Sequence, residues 1–329
     1  MQFNALVVRK KADGNFERAI EVRSLGDLHS SDVVIRVLYS SLNYKDALSA
    51  IGNPGITRRF PHTPGIDAAG LIYSSKSEEF KIGQEVVVCA KDLGMNSPGG
   101  FGQFISVPAE WVMLKPLGLT LEECMAIGTA GFTAALAVHE ILSQDRIDKN
   151  LPILVTGASG GVGAFAVAFL VSEGFTVTAC TGKKAAQKFL YQLGATKVVE
   201  RDYLLGMPGS PLGKEIWGAC IDTVGGNYLA SALKCLKSNG YMVLTGMTAS
   251  SQYTGTVFPF ILRGLKMSGI NAQSASKEIR QEIWFWISSA WKRKALNCIF
   301  RTIKLTDLSA EIDKRYRGEV LGRVVVDMS

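Results

Sequence analysis

The stretch "LPILVTGASGGVGAFAVAFL", residues 151–170, constrains this chain more than any other. An apolar run of strand character enters a turn holding Gly157, Gly160, Gly161 and Gly163 and leaves as an apolar helix. Glycines let the chain turn tightly and let backbone approach a bound group, while a helix starting there offers unpaired N–H donors. The next segment, "SEGFTVTACTGKKAAQKFLYQLGATKVVERD", continues as strand, turn, helix and strand. "GACIDTVGG" and "GYMVLTGM" add two buried strands. Strands alternating with helices in this way predict a parallel, doubly wound sheet. The glycines read GxxGGxG rather than GxGxxG. The strand–turn–helix setting therefore favours a pyrophosphate site over an empty turn more than the spacing does.

The end of the second strand sharpens that reading. A dinucleotide with a free ribose 2′-hydroxyl usually meets Asp or Glu about 20 residues after the first glycine. Here "VTACTGKKAAQ" carries none, and no carboxylate occurs between Glu173 and Glu200. Thr181, Gly182, Lys183 and Lys184 stand there instead, and Arg201 follows the third strand. Hydroxyl and cationic donors suit a 2′-phosphate, so NADPH is the expected cofactor. Two lysines near a helix start oppose the helix dipole, which favours an anion beside them over a merely solvated first turn.

Ahead of this region, residues 1–122 read as short β-type runs: "NALVVRK", "DVVIRVLYSSL", "AAGLIYSS", "QEVVVCA" and "GFGQFISVPAEWVMLKP". Frequent Gly and Pro between them suggest a barrel-like β domain. The six cysteines are scattered, without the close spacing of a disulfide framework or structural zinc site, so free thiols in a cytoplasmic protein are expected. The start of the chain lacks the pattern of a secretory signal, and "VGAFAVAFLV" is too short for a bilayer, so no membrane partner is expected. A net charge of +7 suits acidic metabolites and nucleotides as well as nucleic acid. The basic residues are dispersed, and the cluster Lys292, Arg293, Lys294 reads as the solvated end of an aromatic helix, which makes nucleic acid the weaker partner.

"TGASGGVG" also resembles the opening motif of short-chain dehydrogenases. Those need a downstream Tyr-x-x-x-Lys pair, and no tyrosine after residue 163 has lysine four positions on. The chain resembles instead the medium-chain dehydrogenase/reductase superfamily, in its zinc-free, quinone oxidoreductase-like branch. "SLNYKDAL", "FPHTPGIDAAG", "IGTAGFTA", "IDTVGG" and "PFILRGLKMSGI" together resemble the YhdH/YhfP group, which includes NADPH-dependent acrylyl-CoA reductases. The resemblance implies an α/β chain with a GroES-like β-rich catalytic domain over 1–122, an inserted Rossmann domain over 123–264, and a C-terminal return over 265–329. It also implies a homodimer, as is common in the superfamily.

"FPHTPGIDAAG" sets His62 five positions before Asp67, a spacing open to a metal pair, an acid/base pair or a shaped loop. Zinc members of the superfamily carry Gly-His-Glu where this chain has Gly65-Ile66-Asp67, so the resemblance implies loss of the central ligand and reduces His62 to a loop residue. Without a Lewis acid, hydride adds most easily to an activated alkene, and the resulting enolate needs hydrogen-bond donors. Asn43, Tyr44 and Asp67 are the implied catalytic residues, with Tyr44 also contacting NADPH. Asp46 reads as a cap of the helix beginning there. The resemblance further places Ser159, Gly160, Gly161 and Val162 at the pyrophosphate, and Thr181, Gly182, Lys183 and Arg201 at the 2′-phosphate. Met247 and Ile261 would sit by the cofactor, and Ala272, where the group tends to have serine, would lose one contact. Arg58 and Arg59 are candidates for attracting an acidic substrate. The implied reaction is reduction of an enoyl thioester such as acrylyl-CoA. The alternatives are reduction of a quinone, and a non-catalytic protein binding NADPH and RNA.

Overall fold

The computed structural model describes residues 1–144, 147–207, 209–291 and 296–329. The basic cluster Lys292, Arg293, Lys294 lies outside the described residues. The chain divides into two compact units, residues 1–129 with 300–329 and residues 130–299.

The first unit is built on a seven-stranded sheet in the order 300–304, 323–327, 33–41, 68–75, 85–88, 113–114, with 104–107 also pairing to 33–41. Its central strands bury Val33, Ile35, Val37, Ala68, Ile72, Val86, Val88, Val324 and Val326 in one core with Leu42, Leu93 and Phe101. The C-terminal strand Arg323–Asp327 pairs antiparallel with Val33–Ser41, in register from Val325 opposite Ser41. That pairing carries residue 323 to the end of the strand that leads into Asn43. A separate hairpin joins Gln2–Lys10 to Phe16–Ser24. Its second strand, "FERAIEVRS", is absent from the strand pattern expected from sequence. It alternates charges and leaves Val22 and Ile20 exposed, so it lacks the apolar run that marks a buried strand.

In the second unit all neighbouring strands run parallel, in the order 197–200, 177–181, 153–155, 217–222, 236–244, 266–269. The order turns about Ile153–Val155, the strand that enters the glycine turn, as a doubly wound sheet requires. Residues 265–299, expected to return with the C-terminus, lie in this unit instead. Helix Lys277–Ala290 explains the difference. Trp284 stacks on Phe132 at 6.3 Å, and the following Trp291 stacks on Phe169 at 3.9 Å and donates to Glu173 at 2.9 Å. The return begins only at Phe300.

The element Leu121–Leu142 is long and apolar enough to cross a bilayer, but most of it is buried within the protein. It also breaks at Gly128, whose φ of 47° and ψ of −154° are not helical. Five of the six cysteines are buried, and Cys298 is exposed. Burial pushes the Cys180 thiol up to about 12 and Cys220 well above its ordinary value, which keeps both protonated.

Candidate active site

Helix Tyr44–Ala50 in the first unit starts directly after Asn43. Asp46, fully buried, accepts the backbone N–H of Asn43 at 2.7 Å through one oxygen, and of Ile66 and Gly65 at 2.9 and 3.2 Å through the other. One carboxylate thus caps the helix and ties it to the Pro64–Asp67 loop. Burial, with a further push from Asp67, raises the Asp46 carboxyl to about 7, while the backbone N–H donors pull it back.

Asn43 and Asp67 meet as the sequence suggests. Asn43 Nδ2 donates to Asp67 Oδ2 at 2.8 Å, and Asn43 Oδ1 accepts from Arg323 Nη1 at 2.9 Å. An anionic acceptor on one side and a cationic donor on the other allow only one orientation of the amide. Arg323 is 1% exposed and Asp67 0%. Arg323 also donates to Ser41 Oγ at 2.7 Å and to the Ala126 carbonyl at 2.9 Å, and lies 3.5 Å from Asp67 Oδ2. Asp67 further accepts from Ser41 Oγ at 2.7 Å, from Thr129 Oγ1 at 2.6 Å and from the Thr129 backbone N–H. The break at Gly128 makes this possible: a Cβ there would lie 2.4 Å from Asp67 Oδ2 and 2.8 Å from Arg323 Nη2. Buried and filled with donors, Asp67 positions Asn43 and has no free edge for a substrate. Tyr44, by contrast, is 37% exposed.

Arg323 is absent from the residues picked out in the sequence. It sits 280 positions beyond Asn43, and only the strand pairing of the C-terminal return joins the two.

His62 is buried, with Nε2 2.9 Å from the Gly94 carbonyl, and stands apart from this network. Zinc is implied by the superfamily, but the donors do not fit it. Ile66 stands where the zinc members carry histidine, and among the described residues no group of three or more His, Cys, Asp or Glu could take a metal.

In the second unit the glycine turn has the geometry an anion needs. Gly157 has φ 58°, and a Cβ there would meet Thr223 Oγ1 at 2.2 Å. A Cβ on Gly163 would meet the Gly157 carbonyl at 2.4 Å, so the helix Gly161–Ser172 packs directly on the turn. Its N-cap, Gly160, contributes no side chain, which leaves the first N–H groups to a ligand. Ser159 Oγ lies 2.8 Å from Thr181 Oγ1, which accepts the Lys183 N–H at 3.1 Å. Gly182 lies against the guanidinium of exposed Arg201. Two hydroxyls and a guanidinium therefore lie close to Gly182, and Glu200 is the strand partner of Thr181. Met247 and Ile261 are exposed apolar side chains, and Ala272 is buried, its carbonyl taken by Arg280 at 2.8 Å. Asp222, within the quoted "IDTVGG", buttresses the turn: it accepts from Thr156 Oγ1 at 2.5 Å and from the Gly225 N–H at 2.7 Å.

Residues 29–117 match the alcohol dehydrogenase GroES-like domain, and residues 161–289 match the zinc-binding dehydrogenase family. The chain is 38% identical to acrylyl-CoA reductase AcuI of Ruegeria pomeroyi over 99% of both proteins. It is 36% identical to the putative quinone oxidoreductase YhfP of Bacillus subtilis, again over 99% of each. The crystal structure of B. subtilis YhfP with NAD bound matches with a TM-score of 0.94 over 99% of both chains. The YhdH oxidoreductase of Salmonella enterica in complex with NADP matches with a TM-score of 0.95 at 34% identity, over 100% of both chains. Two domains in the expected order, and likeness along the whole length, place this chain in the YhdH/YhfP group of the medium-chain dehydrogenase/reductase superfamily.

Proposed function

We propose that the chain is an NADPH-dependent reductase of activated carbon–carbon double bonds, acting on a 2-enoyl thioester such as acrylyl-CoA. The full-length likeness to an acrylyl-CoA reductase carries this reading, and the two sites supply its chemistry. Ser159, Gly160, Gly161 and Val162 hold the pyrophosphate at the start of the apolar helix. Thr181, Gly182, Lys183 and Arg201 take the 2′-phosphate, and Met247 and Ile261 give the cofactor apolar contact. When bound, the cofactor supplies a hydride to the β-carbon of the alkene, and negative charge gathers on the substrate's carbonyl oxygen.

Asn43 meets that charge. One Nδ2 hydrogen is committed to Asp67, whereas the other makes only a long 3.4 Å contact to the Ser41 carbonyl. The amide keeps its orientation, and this second hydrogen is the one offered to a substrate oxygen. The hydroxyl of Tyr44, a residue 37% exposed, adds a second donor. Asp67 and Arg323 act through Asn43, holding its amide in one orientation before the substrate arrives. A donor already in place needs no reorganisation during the reaction, and this is where such donors gain their effect.

Steady-state NADPH oxidation with acrylyl-CoA tests the proposal, which predicts turnover well above the substrate-free rate; none would refute it. A second reading, quinone reduction, is supported by the name of the YhfP relative, since the same donors suit quinone oxygens. Higher kcat/KM for quinones than for acrylyl-CoA in that assay would favour it.

A further inference from the structure

A cavity of about 150 Å³ lies within the first unit, and neither Asn43, Tyr44 nor Asp67 lines it. Part of its lining is apolar: the rings of Phe3 and Phe104 lie 5.5 Å apart, tilted at 58°, with Leu28 packed against them. His62 forms part of the wall. The Gly94 carbonyl can only accept, so His62 Nε2 carries the hydrogen in their 2.9 Å contact, and Nδ1 keeps a lone pair. Nδ1 has no partner among the described residues. Burial lowers the pKa of the ring, consistent with a neutral imidazole. The rim holds two arginines. Arg23 is paired with Asp27 at 3.2 Å, but Arg59 has no carboxylate partner among the described residues.

The cavity lining thus combines apolar side chains, a hydrogen-bond acceptor on His62, the Arg23–Asp27 pair and, in Arg59, a cation without a carboxylate partner among the described residues. We propose that it is a second ligand site, for a small carboxylate whose apolar body ends in a hydroxyl. The carboxylate pairs with Arg59, the body rests on Phe3 and Phe104, and the hydroxyl donates to His62 Nδ1. A cavity of this size takes a body about as large as benzene. The assignment also gives Arg59 a role separate from the attraction of a CoA ester, and it does not depend on the reaction proposed above.

Isothermal titration of the NADPH-saturated full chain with 4-hydroxybenzoate tests this. The neutral isostere 4-hydroxybenzamide and benzoate, which lacks the hydroxyl, are the controls. The expected result is binding of 4-hydroxybenzoate about tenfold tighter than of either control, as one charge-assisted or buried hydrogen bond allows. Arg59→Ala should cost a similar factor, and Leu28→Trp, which fills the cavity, should abolish binding. Arg59 is exposed, so its variant reads the site without disturbing the core. No binding, equal binding of all three probes, or binding undiminished in either variant would overturn the assignment.

Discussion

The second unit makes its site from backbone, the first from side chains. Around the glycine turn, Gly157, Gly163 and Gly182 matter for what they lack, because a Cβ at each would strike Thr223, the Gly157 carbonyl or Arg201. Around Asn43, five side chains from four segments satisfy one another, and the central ion pair joins residues 256 positions apart. A backbone site depends on local geometry and fails one contact at a time. A buried charge network fails as a unit, because each partner removed strands another charge.

Arg323→Met tests that difference most severely. It leaves Asp67 buried without its cation, which costs about 3–5 kcal/mol. Denaturant unfolding should show the loss, with Arg323→Lys recovering only part of it because an ammonium cannot reach Ser41, Asn43 and the Ala126 carbonyl together. An unchanged midpoint would mean the network is not what holds this end of the sheet. In the second unit, Gly163→Ala drives a methyl into backbone and should weaken NADPH binding by tens of fold while costing about 1–3 kcal/mol of stability. Fluorescence titration with NADPH reads the first and denaturant unfolding the second. Arg201→Ala is milder: the Kd for NADPH should rise about tenfold and that for NADH should not move. Equal losses for both nucleotides would remove Arg201 from the 2′-phosphate.

A further effect depends on pH and concerns Asp46. Its folded pKa of about 7 exceeds the ordinary 3.8, so between those values the native state keeps a proton that the unfolded chain gives up. This group therefore makes stability fall as pH rises through that window. In Asp46→Asn that contribution is gone, and the advantage of the wild type over the variant should shrink from pH 4 towards 7. Parallel pH profiles for the two proteins would contradict the raised pKa.

What could be read from the sequence follows the same divide. The glycine turn, and the missing carboxylate after Val177–Thr181, declare themselves within a few dozen residues, because strand, turn and helix periodicity are local. "SLNYKDAL" and "PGIDAAG" point to Asn43 and Asp67, but nothing local marks Arg323, which reads as one cation ahead of a valine strand. Only pairing of Arg323–Asp327 with Val33–Ser41 gives it a partner. The course of residues 265–299 was hidden for a similar reason. "EIWFWISSAW" shows an aromatic helix, but not that Phe132 and Phe169 receive its rings.

In the proposed reaction Asn43 is the donor that the network aims at the substrate. The most direct measurement is kcat for acrylyl-CoA reduction in Asn43→Ala, taken beside the Kd for NADPH. The expected result is a kcat lower by about a hundredfold, the usual scale for one lost oxyanion donor, with the Kd unchanged. A variant that reduces acrylyl-CoA at the wild-type rate would contradict it.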